Sequence, residues 1–512
     1  MADQTSTPTG RFLEDVAEQI SYKPLRPSIT KELEDHIRDR ADGYRADGMS
    51  PEDAEKKAVA AMGDPVSIGT ELNAVRHTRF CLPLIALAAV LMLLGFLAAF
   101  YMRWSPELSA NGFFYYIPGI ALLILVTFKG YPWLIRYQTA LFRLVISLYA
   151  FGFLWDLLRL WKPELSNLIL FGHYFPFHMI RYYAILLLAP VLVIAAYRTR
   201  RKPTAAVLIL PLAAAFLLLS DHITKRYDTC SIILVFLSAV AATTFYMIRK
   251  GIFRGSGRRL LIIAGLGCLP PSGLFAAVPS QGYFIQAFAA PEIITRDRWD
   301  DAYNGVLIRE LLSRTPALEG LSLTPEELMS YRTAQWYYES PEYEDLRSKS
   351  RYYKTEQADE WKKRWDADLP YLLQYQNESN ITLWDILPQH YRNNYLITVA
   401  ILHCGWLPAM CLLSLPVLFY LLLFACIRSI HGKLASSTAF CCGILLLMQG
   451  VLYLLGNLGC QYNTFTNLPL ISEGWTSIMA NMLLLGFIFS AYRYDRVIDE
   501  AAADTALLQN HS

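Results

Sequence analysis

Six consecutive residues, Arg296-Asp297-Arg298-Trp299-Asp300-Asp301, hold three carboxylates and two guanidinium groups. Ala302-Tyr303-Asn304-Gly305 follows, and then a helix-like pattern, Val306-Leu307-Ile308-Arg309-Glu310-Leu311-Leu312. An aspartate held beside arginines and next to lipid can act as a general base on a hydroxyl, while the cations hold a phosphate or pyrophosphate. A solvated charge run in a surface loop has the same composition, and the residues leave both readings open.

Charges inside apolar runs narrow the search, because an ionised side chain in hydrocarbon is costly and tends to face a partner or a cavity. Arg143, Arg181 and His403 lie in or at the ends of such runs. Arg143 is expected to be a buried cation facing a polar groove. Arg181 is expected to snorkel to the interface, and His403 to hydrogen-bond between helices. Near the carboxyl terminus come Gln449-Gly450, Asn457-Leu458-Gly459 and Asn467-Leu468-Pro469-Leu470-Ile471-Ser472-Glu473-Gly474-Trp475-Thr476-Ser477. Proline, glycine and hydroxyl residues entering an apolar helix predict non-helical backbone at membrane depth, which is allowed only where it lines protein or a wet cavity. A helix N-terminus there would attract an anion.

The elements that must position these groups are membrane spans. Of 512 residues, 54% are apolar and 18% charged, against roughly 25% charged in an average soluble domain. Runs such as Leu82 to Met102 and Ile232 to Ile248 approach or reach the ~20 residues that cross hydrocarbon. About ten are expected, near 81–101, 113–128, 137–158, 178–197, 204–219, 229–248, 260–279, 395–427, 437–459 and 475–492,. The fold class expected is therefore an all-α polytopic membrane protein. The first run starts well inside the chain, which predicts a permanent anchor rather than a cleaved signal peptide. Nine cysteines lie in or beside apolar runs with no CxxC pair, so neither a structural disulfide nor a metal site is expected.

Lysine and arginine beside short loops set topology. With the amino terminus inside, the inner loops hold Lys129 and Arg136, Arg198 to Lys202, Arg249 to Arg259, and Arg428 with Lys433. Both termini are expected to be cytoplasmic. The expected division is a cytoplasmic helical unit over 1–77, spans one to seven over 78–279, an outer loop over 280–393, spans eight to ten over 394–497, and a cytoplasmic tail over 498–512. The outer loop carries 19 acidic and 13 basic residues. Helical stretches are expected in it at Thr324-Pro325-Glu326-Glu327-Leu328 and through Trp361-Lys362-Lys363-Arg364-Trp365. A connection of this length is often functional.

The order Gln449, Asn457-Leu458-Gly459, Leu468-Pro469-Leu470-Ile471-Ser472, Ser477, Asn481 and Gly486 resembles the C-terminal signature of the SEDS family, the FtsW, RodA and SpoVE proteins of division, elongation and sporulation. The family pattern is Asn-Ile-Gly, then Leu-Pro-Phe-Ile-Ser-Tyr-Gly-Gly-Ser-Ser; here Glu473 replaces the tyrosine and Trp475 the second glycine. Trp299-Asp300-Asp301-Ala302 is similar to the start of the family's Trp-x-Asp-Pro-x-Gly-x-Gly-Tyr-Gln, with Ala302 in place of proline. Leu387-Pro388-Gln389-His390-Tyr391-Arg392-Asn393-Asn394 and Ser220-Asp221 resemble two further family segments. Residues 1–77, through Glu32-Leu33-Glu34-Asp35-His36-Ile37, Gly48-Met49-Ser50 and Met62-Gly63-Asp64-Pro65, resemble the small helical prefix domain of bacterial permease-like proteins (HAAS-like).

That resemblance implies a peptidoglycan glycosyltransferase in the bacterial cell membrane that polymerises the undecaprenyl-pyrophosphate-linked disaccharide, lipid II. It puts the catalytic aspartate at Asp301, with Asp300 as the alternative register. Arg296, Arg298 and Arg143 would neutralise the leaving phosphates, and Ser472 and Ser477 would bind substrate. The partners implied are membrane lipid and a class B penicillin-binding protein transpeptidase, with no nucleic acid; any cofactor is left open. The missing Gly-Tyr-Gln and the inserted segment 320–385 favour a different class, a non-catalytic homologue or lipid transporter that scaffolds or regulates wall synthesis.

Overall fold

The computed structural model describes residues 7–21, 23–75, 78–102, 106–162, 169–170, 173–174, 177–224, 230–277, 301–331, 382–387, 391–460, 466–472 and 475–498. The charged run through Trp361–Trp365, most of the 320–385 insertion and the carboxyl-terminal tail lie outside them.

Four helices come first: α1 (Pro8–Gln19), α2 (Arg26–Ala46), α3 (Pro51–Ala60) and α4 (Pro65–Val75). Thr7 and Ser50 cap α1 and α3 by accepting from the N–H groups of Gly10 and Asp53, each ahead of a proline in the first turn, where a missing N–H costs nothing. Phe12, Val16, Ile29, Ile37, Ala54 and Ala58 are buried as α1 packs on the other three.

Long apolar helices follow: α5 (Leu82–Met102), α6 (Pro106–Arg136), α7 (Gln138–Trp161), α8 (Phe177–Arg198), α9 (Pro203–Thr224), α10 (Cys230–Arg249) and α11 (Gly257–Ala276). A two-residue antiparallel ladder, β1 (Ile169–Leu170) with β2 (His173–Tyr174), sits between α7 and α8. Beyond it come α12 (Asp301–Arg314), α13 (Pro325–Tyr331), α14 (Leu383–Ile386), α15 (Tyr391–Asn394), α16 (Leu396–Cys404), α17 (Trp406–Arg428), α18 (Lys433–Asn457) and α19 (Trp475–Tyr494). Among the described residues, eight helices are long and apolar enough to cross a membrane, and Leu82–Ala98 is a shorter apolar helix. The chain is a multi-pass helical membrane protein. α8 is the central post, touching α7, α9, α10, α18 and α19. Leu212, Phe216, Leu266, Leu269 and Leu421 stand exposed on the outside of the bundle, as lipid-facing positions must.

Two boundaries differ from the expectation. The run 395–427 is not one span: α16 and α17 meet at Gly405, whose φ of 88° lies where side chains are strained. The carbonyl of Leu402 accepts from Leu321 N–H at 2.7 Å, and Pro316 O from Trp406 N–H at 3.2 Å. The break thus gives its backbone groups to the chain at 316–321. The second difference is that Lys129 and Arg136 lie on the last turns of α6, which reaches α7 with only Tyr137 between them.

Successive spans reverse direction, so Arg198, Arg249, Lys250, Arg428 and Lys433 collect at one end of the bundle. Lys250 Nζ donates to Ser436 Oγ at 3.0 Å across that end. Beside it Asp495, its side chain fully enclosed, accepts from the N–H groups of His431 and Gly432, both at 2.8 Å, and pairs with Arg79 at 3.1 Å.

Candidate functional site

At the opposite end, a guanidinium is enclosed among helices. Arg181, in the first turns of α8, is 0% exposed. Its Nη1 donates to Asp156 Oδ2 of α7 at 2.8 Å and to Thr224 Oγ1 of α9 at 3.0 Å. Its Nη2 donates to Ser220 Oγ at 2.7 Å and pairs with Asp221, also on α9. Ser220 Oγ lies 2.5 Å from the Tyr149 hydroxyl, and the rings of Tyr149 and Phe153 flank the guanidinium. One cation thus faces two carboxylates, all buried. Such a cluster deep among apolar helices marks a functional position by default. The local sequence permits it: Gly152 lets α8 run against α7, and Ser220 and Asp221 neighbour Thr224 on α9 by their spacings of four and three residues,.

Arg143 is not the buried cation. It is exposed on α7, because its position on the helix turns it away from α8, and the enclosed arginine is Arg181, which therefore does not snorkel. Asp156, inside the run expected to be the third span, is the acid that sequence reasoning passed over. An acidic residue within that run was the available signal. His403 stacks on Trp384 at 4.4 Å between ring centres, and among the described residues its Nε2 has no hydrogen-bond partner, so no hydrogen bond from it bridges the described helices.

The second cluster joins α12 to the carboxyl-terminal segment. Asp301 opens α12; its side chain, like all of Asp300, Arg296 and Arg298, lies outside the described residues. The first turn of α12 lies on the turn after α18. A Cβ placed on Gly459, φ 74°, would fall 2.4 Å from the carbonyl oxygen of Gly305 and 2.7 Å from Arg309 Cγ. Only glycine fits that approach. Leu307, Ile308, Leu311 and Leu312 then pack with Ile401, Leu402, Tyr453 and Leu468.

Asn457 locks the end of α18 to the start of α16. Its Oδ1 accepts from the N–H groups of Ile397 and Thr398, both at 3.0 Å, and its Nδ2 donates to Asn394 O at 2.8 Å. These are the orphan donors that a helix start leaves unmet. Gln449 Nε2 donates to Asn481 Oδ1 at 3.1 Å, and Asn481 Nδ2 to Ser477 Oγ at 3.2 Å. Ser472 and Ser477 are each 2% exposed, and Ser472 Oγ donates to Leu468 O at 3.2 Å. Between Leu468 and Ser472 the backbone is a turn, as expected of that segment, with Leu470 held at a φ of 71°, a costly conformation for a branched side chain. No group of metal-ligating side chains occurs among the described residues.

No family model matches the chain, and no curated protein matches it. Among solved structures it is similar to a chain of the work "Structural coordination of polymerization and crosslinking by a peptidoglycan synthase complex". The two are 18% identical with a TM-score of 0.48, over 82% of this chain and 99% of that one. It is also similar to a mutant of the Thermus thermophilus rod shape determining protein RodA, at 17% identity and a TM-score of 0.43, over 82% of this chain and 99% of that one.

Proposed function

We propose that this protein is a divergent SEDS-like membrane protein of cell-wall synthesis, working at the face of the bilayer opposite its basic end. The observation that carries the reading is the seat of α12 on Gly459. The segment that opens with Asp301 and the segment from Asn457 to Ser472, distant in sequence, meet through the Gly305 carbonyl. These are the two stretches on which the family resemblance rests. The basic end faces the cytoplasm, following the bias of lysine and arginine toward inner loops, with both termini on that side.

In the catalytic form of this reading, Asp301 takes the proton from a sugar 4-hydroxyl of lipid II. The freed oxygen attacks the anomeric carbon of a second chain, and the bond to the pyrophosphate lipid breaks. Arg296 and Arg298 stabilise the departing negative charge. A class B penicillin-binding protein would cross-link the product. The test is glycan formation from lipid II by the purified protein with its cognate transpeptidase. Asp301→Ala should lower the rate ~10²- to 10⁴-fold, the contribution of a general base. Equal polymerisation by wild type and variant would overturn the role of Asp301.

One observation favours a non-catalytic regulator or lipid transporter instead. Ser472 and Ser477 are buried with their hydroxyls engaged inside the bundle, which leaves neither free to grip a substrate. Absence of polymer with the true partner present would select this second reading.

A further inference from the structure

We propose that the basic ends of α7 and α8 hold the head group of an anionic phospholipid that carries a free hydroxyl, phosphatidylglycerol being the simplest. A cavity of about 260 Å³ opens between these helices, room for several water-sized groups. Its polar rim is Gln138, Thr139, Arg198 and Thr199, and Phe142, Val191 and Ile194 form its wall toward the membrane.

Two polar groups in the rim ask for complementary chemistry. Gln138 is only 7% exposed, yet among the described residues its Oε1 has no hydrogen-bond partner. A buried acceptor left unmet is costly, so the site is built for a donor such as a hydroxyl. Arg198 ends α8, and among the described residues no carboxylate pairs with it; its Nη1 makes one long contact, 3.4 Å, to Thr139 Oγ1. Its remaining donors suit a phosphodiester. Phe142 and Val191 lie one and about two turns deeper than the polar groups,, where an acyl chain would run. In the orientation proposed above this rim lies in the cytoplasmic leaflet, whose anionic lipids are drawn to a cation placed as Arg198 is,.

The experiment is native mass spectrometry of the full chain from micelles doped with one probe at a time. The probes are phosphatidylglycerol, phosphatidylethanol (an anionic phosphodiester with no hydroxyl), phosphatidylcholine and free glycerol 3-phosphate. Phosphatidylglycerol should be retained best, phosphatidylethanol next, and the other two least. Arg198→Gln should cut retention of phosphatidylglycerol about five-fold, the effect of one cation on an anionic lipid, and Arg201→Gln should leave it unchanged. Gln138→Leu should reduce phosphatidylglycerol to the level of phosphatidylethanol. Equal retention of phosphatidylglycerol and phosphatidylcholine, or equal losses in Arg198→Gln and Arg201→Gln, would overturn the site. Retention of glycerol 3-phosphate equal to that of phosphatidylglycerol would overturn the lipid as its occupant.

Discussion

Gly152 of α7 lies against the backbone of Arg181 so closely that a Cβ on the glycine would come within 2.5 Å of the arginine Cβ and 2.9 Å of its N and Cα. Backbone cannot step aside as a side-chain tip can. Gly152→Ala should therefore push α8 from α7 and cost about 1–3 kcal/mol, as overpacking does. Thermal unfolding in detergent reads this as a lower midpoint. A midpoint equal to that of wild type would mean the two helices are not held at this separation.

Arg181 needs one counter-charge and has two, Asp156 and Asp221. Asp156→Asn or Asp221→Asn alone should leave the protein folded, since the remaining carboxylate still balances the guanidinium. The double substitution should destabilise it by ~3–5 kcal/mol, the cost of a buried charge left without its partner. Arg181→Leu, which leaves two carboxylates facing each other in an apolar bundle, should be at least as harmful. Additive, small effects for both single and double variants would count against an ionised cluster.

Asn457→Ala removes the acceptor shared by the first N–H groups of α16 and the donor to Asn394. A buried donor left unmet costs ~1–3 kcal/mol, and the loss should be local. Hydrogen exchange should quicken at residues 396–399 while α8 keeps its protection. Uniform quickening across the bundle would contradict the assignment of Asn457 to this junction.

Outside the spans, α12 and α13 are clasped by charge. Arg314 pairs with Glu327, and the Tyr331 hydroxyl donates to Glu310 at 2.5 Å. The Thr324 N–H and then Arg314 hold the Glu327 carboxyl below its ordinary value of 4.5. A depressed acid stabilises the folded clasp above that ordinary value, and the contribution fades as pH falls through the depressed one. Amide protection over 326–331, corrected for intrinsic exchange, should thus hold above that ordinary value and drop as the pH is taken below it,. Glu327→Gln should be weaker at neutral pH and lose the pH dependence.

The spans were legible because burial in lipid needs unbroken apolar length, and the capped starts of α3 and α13 because serine or threonine before proline has a local cause; α1, with the same Thr7-Pro8 signal, was missed. The reciprocal Thr324 and Glu327 cap of α13 is visible in four letters. Gly405 was not legible: hydropathy runs straight through 395–427, and the break depends on backbone at Glu319 and Pro316 that lies far away in sequence. The choice of Arg181 over Arg143 was hidden for a related reason. Periodicity locates a charge along a helix, whereas its burial depends on which neighbour that face meets.

Asp495 binds three parts of the chain at once: Arg79 ahead of α5, the turn at His431 and Gly432, and its own position just past α19. One carboxylate thus fastens the entry to the first long apolar helix, the turn between α17 and α18 and the exit from the last helix to a single point, a three-way knot of segments far apart in sequence.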